Sequence, residues 1–312
     1  FYLYSMDIFL QQIINGLVQG SIYAMVALGY TMVYGIMGLI NFAHGEVVMI
    51  GTLVAITTVT LLLKLGFPVW LAGGLGVVAA TAVCMLLGWS LERIAYRPLR
   101  NAPRLTPLIT AIGMSIVLQN VAMMVWGRNY MTFPSLIEKT QFEIGGAAFT
   151  SVQVMIVLVS TISMSGLLFL VYRTKLGMAM RATAQNPAVA GLMGVNANRV
   201  ISSAFIIGSA LGALAGVMVG TYYEIAHYQM GFMLGLKAFT AAVLGGIGNL
   251  AGAMAGGVLL GLIEALGAGY IGDLTGGFLG SHYQDIFAFV VLIFVLMFRP
   301  SGLFGEKTGD RA

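Results

Sequence analysis

Glu46, Lys237 and Glu264 each stand within or at the edge of a long apolar run, and they are the first side chains of this sequence that could carry chemistry. A charge held in hydrocarbon costs roughly 2.5–3.5 kcal/mol on insertion scales, so an intramembrane ionisable residue usually handles a solute, an ion or a proton. Each has a plainer alternative: Lys237 can carry its ammonium to the interface on its alkyl stem, and Glu264 can be a buried structural partner. His44 and Glu46 form a His-x-Glu pair without the spacing or further ligands of a metalloprotease centre, so no metal is expected. Gln119 and Asn120 offer amides that would either line a path or bond between helices. No nucleophile stands paired with a base, and the sequence contains no Gly-Lys dipeptide, which excludes a phosphate-binding P-loop. The single cysteine, Cys84, excludes a disulfide framework and a cysteine metal site. An enzyme is therefore not expected. The candidates for a translocation path or gate are Asn41, His44, Glu46, Gln119, Lys237, Gly245, Gly246, Asn249 and Glu264.

The elements that must position them are membrane spans. With 59% hydrophobic and only 8% charged residues among 312, a water-soluble globule could not cover its surface with polar groups. The fold class expected is an all-α polytopic membrane protein, read as one transmembrane domain over residues 1–312. The net charge of +4 is too small and dispersed for nucleic-acid binding. The N-terminus lacks a basic leader region, so no cleavable signal is expected, and Met6 offers a natural start that would leave residues 1–5 outside the natural chain. A helix needs about 20 apolar residues to cross the bilayer. That rule gives about eight spans, near 8–34, 36–63, 69–91, 105–126, 151–172, 200–222, 236–268 and 284–298. All seven prolines fall in the proposed loops or at span ends.

Basic residues orient the spans. Residues 92–104 hold four arginines against Glu92 alone, and residues 173–199 hold Arg173, Lys175, Arg181 and Arg199 against no acid, so both loops are expected in the cytosol. The loop 127–150 is balanced in charge and belongs outside. Loops 223–235 and 269–283 contain Glu224 and Asp273 but no Lys or Arg, so both also look external, yet only the segment 236–268 separates them. One crossing cannot join two loops on one side. The segment must hold two passes or a re-entrant hairpin, and "VLGGIGNLAG" (243–252) supplies the break. "YGIMGLINFAHG" (34–45) has a related pattern, with Asn41-Phe42-Ala43 against Asn249-Leu250-Ala251. Paired glycine-interrupted segments of this kind mark substrate paths in internally repeated transporters. Whether 34–45 also re-enters is left open by the pattern, and with it the side of the N-terminus.

The basic loop 173–199 contains a miniature helix, 187–193. Asn186 suits its N-cap, Pro187 its first position, and Gly194 the left-handed residue past its end. Val189, Leu192 and Met193 share one face, which must be buried against the chain itself, the lipid headgroups or a partner. Glycines at four-residue spacing, such as Gly208, Gly212, Gly216 and Gly220, are expected mainly to let helices approach closely.

"INFAHGEVVMIG" (40–51), "ERIAYRPLR" (92–100), "AIGMSIVLQN" (111–120), "GVNANRV" (194–200), "KAFTAAVLGGIGNLAGAMAGG" (237–257) and "RPSGLFG" (299–305) together resemble, in the same order, the first of the two permease subunits of bacterial branched-chain amino acid ABC importers. The resemblance runs from about residue 8 to residue 305. It implies a multi-pass inner-membrane permease with a cytoplasmic C-terminus, moving Leu, Ile and Val as a heterodimer with a second homologous permease. It also implies two cytosolic ATP-binding subunits, which would hold ATP and Mg, and a periplasmic amino-acid-binding protein; no cofactor is expected on this chain. The family's coupling helix, seated in a groove of the ATPase, corresponds here to Arg181 through Asn196, with Arg181, Asn186, Pro187, Val189, Ala190, Leu192, Met193, Gly194 and Asn196 as its residues. Two alternatives stay open: an ABC permease for urea, amides or other amino acids, and an ion-coupled secondary transporter or channel using the intramembrane charges.

Overall fold

A computed structural model describes residues 2–100, 102–103, 105–274 and 283–305, so Arg104 and most of the 269–283 connection lie outside the described residues. The helices are α1 (Tyr2–Met37), α2 (His44–Lys64), α3 (Val69–Ser90), α4 (Leu105–Trp126), α5 (Ser151–Arg173), α6 (Lys175–Gln185), α7 (Pro187–Leu192), α8 (Ala197–Tyr223), α9 (Met230–Gly245), α10 (Leu250–Leu274) and α11 (Gln284–Phe298). Among the described residues seven helices are long and apolar enough to span a membrane, and Met230–Gly245 and Phe289–Phe298 are shorter apolar helices. The fold is the expected all-α polytopic one.

Helices α1, α2, α8, α9 and α10 form the centre, while α3, α4 and α5 carry rows of exposed large apolar side chains such as Val78, Ile109, Met124, Ile162 and Phe169. In a bilayer such faces meet lipid at no cost. The central helices are held by close backbone approach rather than by hydrophobic exclusion, which lipid does not supply. On α8, Gly208 lies against Gly29, Gly212 against the His44 ring and Val48, and Gly216 against the Val48 carbonyl. The Thr52 hydroxyl then donates 2.8 Å to the Gly216 carbonyl. The expected packing role of that glycine stripe is met at Gly208, Gly212 and Gly216, while Gly220 packs against the Phe133 ring and the Thr52 methyl.

The segment 236–268 is two helices. α9 runs toward the end that carries the basic loops, the chain breaks over 246–249, and α10 returns, with Gly245 against Gly252 and the α9 residue Ala241 against Gly256. Gly246 has φ +107°, a conformation closed to most L side chains, and its Cα faces the backbone of Gly305. The span expected at 36–63 differs: α1 continues to Met37 and α2 begins only at His44. The ring of His44 lies against Gly29, two turns back along α1. Residues 38–43 therefore re-enter the protein as non-helical chain. Backbone of that kind is tolerated at membrane depth only inside protein or along a cavity.

The ends of the bundle are also structured. At the end opposite the basic loops, β1 (Met131–Thr132) pairs with β4 (Ile225–Ala226), and β2 (Gln141–Ile144) forms a hairpin with β3 (Ala147–Thr150). That hairpin accepts the start of α1, where the Ala148 amide donates to Gln11 Oε1 at 2.9 Å. The start of α1 and the basic loops thus occupy opposite ends. The 173–199 loop holds more than the one miniature helix expected: α6 precedes it, begun by Thr174, whose side chain accepts from the Gly177 amide. Its Met180 and Thr183 face inward, a one-turn spacing that charge counting passes over.

Candidate functional site

Beside the second break, at the basic end, lies a small cavity of about 90 Å³, lined among others by Thr31, Gly35, Arg181, Ala184, Gly248 and Leu250. The cavity thus touches the end of α1, the α9–α10 turn and α6. Asn249 shapes the second break: its Oδ1 accepts from the Gly252 amide at 3.1 Å, starting α10, and its Nδ2 donates 3.0 Å to the Phe304 carbonyl. The amides of Leu303 and Phe304 donate to the carbonyls of Leu244 and Gly245, so the "RPSGLFG" segment ties off the end of α9. In the first break, Asn41 is buried and its Oδ1 accepts from the Tyr96 hydroxyl at 2.7 Å.

Immediately beyond that break, His44 and Glu46 are fully enclosed. His44 packs edge-on to Tyr30 with ring centroids 5.0 Å apart. Glu46 Oε1 accepts from Gln119 Nε2 at 2.7 Å and from Ser115 Oγ at 3.0 Å. Gln119 thus bonds between helices, from α4 to α2. Asn120 is exposed and donates to the Ile116 carbonyl one turn back.

Lys237 and Glu264 meet on the other half of the protein. Lys237 Nζ lies 3.2 Å from Glu264 Oε2 and 2.6 Å from Asp285 Oδ1. Glu264 Oε2 also accepts from the Tyr23 hydroxyl at 2.7 Å and from Gln19 Nε2 at 3.3 Å. Lys237 does not run to the interface alone; it cross-links α9, α10 and α11.

At the basic end, α7 forms as its residues dictate. Asn186 Oδ1 accepts from the amides of Ala188 and Val189, both at 3.1 Å, Pro187 opens the helix, and Gly194 takes φ +85° past its end. Asn196 Oδ1 then accepts from the Arg199 amide to start α8. Ala190 faces inward at 4% exposure, while Val189, Leu192 and Met193 are 53%, 87% and 81% exposed. The apolar face is thus uncovered among the described residues. Arg181 sits with its guanidinium 5.5 Å from the Tyr172 ring.

One residue the sequence left in the background is Glu92. It begins a π-helical turn, Leu91–Tyr96, followed by a 3-10 turn, Arg97–Leu99. The wider turn swings Arg97, five residues on, back over the carboxylate, where its Nη2 donates at 2.8 Å; Arg100 also pairs with Glu92, and Ser202 Oγ on α8 donates at 2.7 Å. Arg100 Nη1 in turn donates to Asn198 Oδ1. The signal was present as one acid among four arginines. Glu92→Gln would retain an acceptor but leave two guanidiniums without their counter-charge, so a loss of about 2 kcal/mol is expected. A lowered melting temperature and faster proteolysis within 92–104 in mild detergent would register it; an unchanged melt would show the network to be dispensable.

Among the described residues no group of three or more His, Cys, Asp or Glu side chains could hold a metal ion. The family model described as branched-chain amino acid transport system / permease component matches residues 12–296. The chain is 45% identical over 309 residues to the high-affinity branched-chain amino acid transport system permease protein LivH of Escherichia coli (strain K12), covering 97% of each chain. It is likewise 45% identical over 310 residues to BraD of Pseudomonas aeruginosa, which bears the same description, with 97% of this chain and 98% of that one covered. A more distant relative, the probable branched-chain amino acid transport permease LivH of Methanocaldococcus jannaschii, is 28% identical with 93% and 91% covered.

Proposed function

Since the chain belongs to the family of branched-chain amino acid transport system permease components, we propose that it is one permease of an ABC importer moving Leu, Ile and Val across the inner membrane. The reading includes a second, homologous permease, a periplasmic binding protein that delivers the amino acid, and two cytosolic subunits that bind ATP and Mg and supply the energy. The basic end is then cytosolic, with the C-terminal segment beside it.

The observation that carries the reading is the uncovered apolar face of α7 beside a cavity shared by α6, the end of α1 and the α9–α10 turn. Three apolar side chains could contribute at most roughly 5–8 kcal/mol when buried, and rigid association consumes much of that. Docking of an ATPase pair therefore uses the matching helix of the second permease as well. Movement of α7 and α6 as the ATPases close would reach Gly35 in the last turn of α1 and Gly248 in the α9–α10 turn through the cavity wall, shifting the helix end and the turn that face the path. The intramembrane charges favour no ion-coupled mechanism here, because Glu46 is bonded between helices and Lys237 is paired.

Purification in mild detergent should recover the chain with a P-loop ATPase and a second permease. The reconstituted complex with its binding protein should take up leucine only with ATP. Recovery of the chain alone, moving solute without ATP, would replace this reading with a secondary transporter.

A further inference from the structure

The outward side of α4 carries a side chain that lipid does not accommodate. Among the seven helices long enough to span a membrane, α4 buries the smallest share of its apolar stretch, and its inward stripe is narrow: Pro107, Ala111, Ser115, Leu118 and Ala122. Apolar side chains on the other side, such as Ile109, Val117 and Met124, meet lipid at no cost. Asn120 stands exposed among them. It lies six residues before Trp126 at the helix end, about 9 Å at 1.5 Å per residue, and therefore within the hydrocarbon. Its Nδ2 donates to the Ile116 carbonyl, and its Oδ1 accepts nothing among the described residues. The other outer helices, α3 and α5, expose no carboxamide.

The rotation of α4 is fixed by its inward contacts. Ser115 and Gln119, one turn apart, both donate to Glu46 Oε1, so turning the helix to bury Asn120 would take two donors from an enclosed carboxylate. Asn120 is thus held outward. Gly113 lies two turns earlier on the same stripe, with Val117 between them and Met124 beyond, and no atom stands within 4 Å of the place its Cβ would take. A flat position followed by a carboxamide is what a second helix needs to approach closely and form a hydrogen bond in the membrane. An acyl chain offers Asn120 no donor, whereas a membrane helix can bring one to the same depth.

We propose that the stripe Gly113, Val117, Asn120 and Met124 is where the second permease packs, with a helix of that subunit crossing at Gly113 and hydrogen-bonded to the Asn120 carboxamide. The assignment rests on the importer reading, which supplies a second permease, and adds where that subunit sits. α4 then joins the partner on its outward side to Glu46 on its inward side, and Glu46 stands in the first turn of α2, directly after the first break. A shift between the two subunits would reach that break through one helix.

The test uses the importer purified as an assembled complex. A benzophenone amino acid placed at Val117 or Met124 is expected to form an adduct with the second permease on irradiation, and the same group at Val78 on α3 or Ile162 on α5 to form none. Gly113→Trp fills open space in this chain and is expected to lower recovery of the second permease about tenfold, with the amount of this chain in the membrane unchanged. Gly166→Trp, equally open on α5, is expected to lower neither. Asn120→Leu is expected to weaken the pairing about threefold, the weight of one hydrogen bond between membrane helices. Adducts with the second permease from α3 or α5 but not from α4 overturn the assignment, as do α4 adducts only with lipid or with a second copy of this chain. Full recovery of the second permease with Gly113→Trp does the same. A wild-type complex that contains no second permease would instead remove the reading beneath it.

Discussion

Leucine uptake by the assembled importer is expected to fall by more than about a hundredfold when Val189 and Leu192 are both replaced by Asp, with the chain still folded in the membrane. The two positions are 53% and 87% exposed, so their carboxylates meet solvent in the free chain and cost it little. In the docked state the same carboxylates would be desolvated in an apolar groove, at several kcal/mol each, which exceeds what that face can contribute. The double variant should therefore fail to co-purify with the ATPase and fail to transport, while its melting temperature in detergent stays at the wild-type value. Ala190, one residue away but buried, provides the contrast: Ala190→Asp should lower the melting temperature itself. Wild-type uptake by the double variant would be incompatible with coupling through α7.

Much of this arrangement was legible in the residues. The two-pass reading of 236–268 came from charge parity and the glycines of 243–252, because loop sidedness and backbone freedom are local properties. Asn186, Pro187 and Gly194 define α7 for the same reason: capping is settled within four residues. What stayed hidden depends on partners far along the chain. Lys237 looked free to reach the interface because nothing nearby in sequence reveals that Asp285 and Glu264 converge on it. Glu92 was counted as one minus sign in a basic loop, since its contacts require a π-helical turn and a serine 110 positions away. The re-entry of 38–43 was undecidable from pattern alone. A glycine and an asparagine permit a break, but the depth to which the chain returns is set by where Gly29 and Tyr96 receive His44 and Asn41.

The second large effect concerns the crossing of α1 and α10. Gly16 and Gly20 on α1 face Gly261 and its neighbours on α10, and Gly257 lies directly on the backbone of Ala24. A Cβ at position 261 would strike the amide and Cα of Gly20 and the carbonyl of Gly16, all backbone atoms that no rotamer change can move aside. Gly261→Val is therefore expected to force the helices apart at a cost of about 3 kcal/mol or more. No hydrophobic drive in lipid compensates for that separation. The same crossing fixes the buried cluster of Tyr23, Glu264 and Lys237: Tyr23 follows Gly20 by three residues, Glu264 follows Gly261 by three, and their side chains meet at 2.7 Å. Loss of the close approach would part that pair and the Lys237 contact with it. The variant should melt well below wild type and take up no leucine, whereas Gly166→Val, at a helical position with open space beside it, should leave both properties nearly unchanged. Equal melting temperatures for Gly261→Val and Gly166→Val would mean that the α1–α10 crossing does not depend on backbone contact, and that the spacing of Tyr23 and Glu264 is held by the ions themselves.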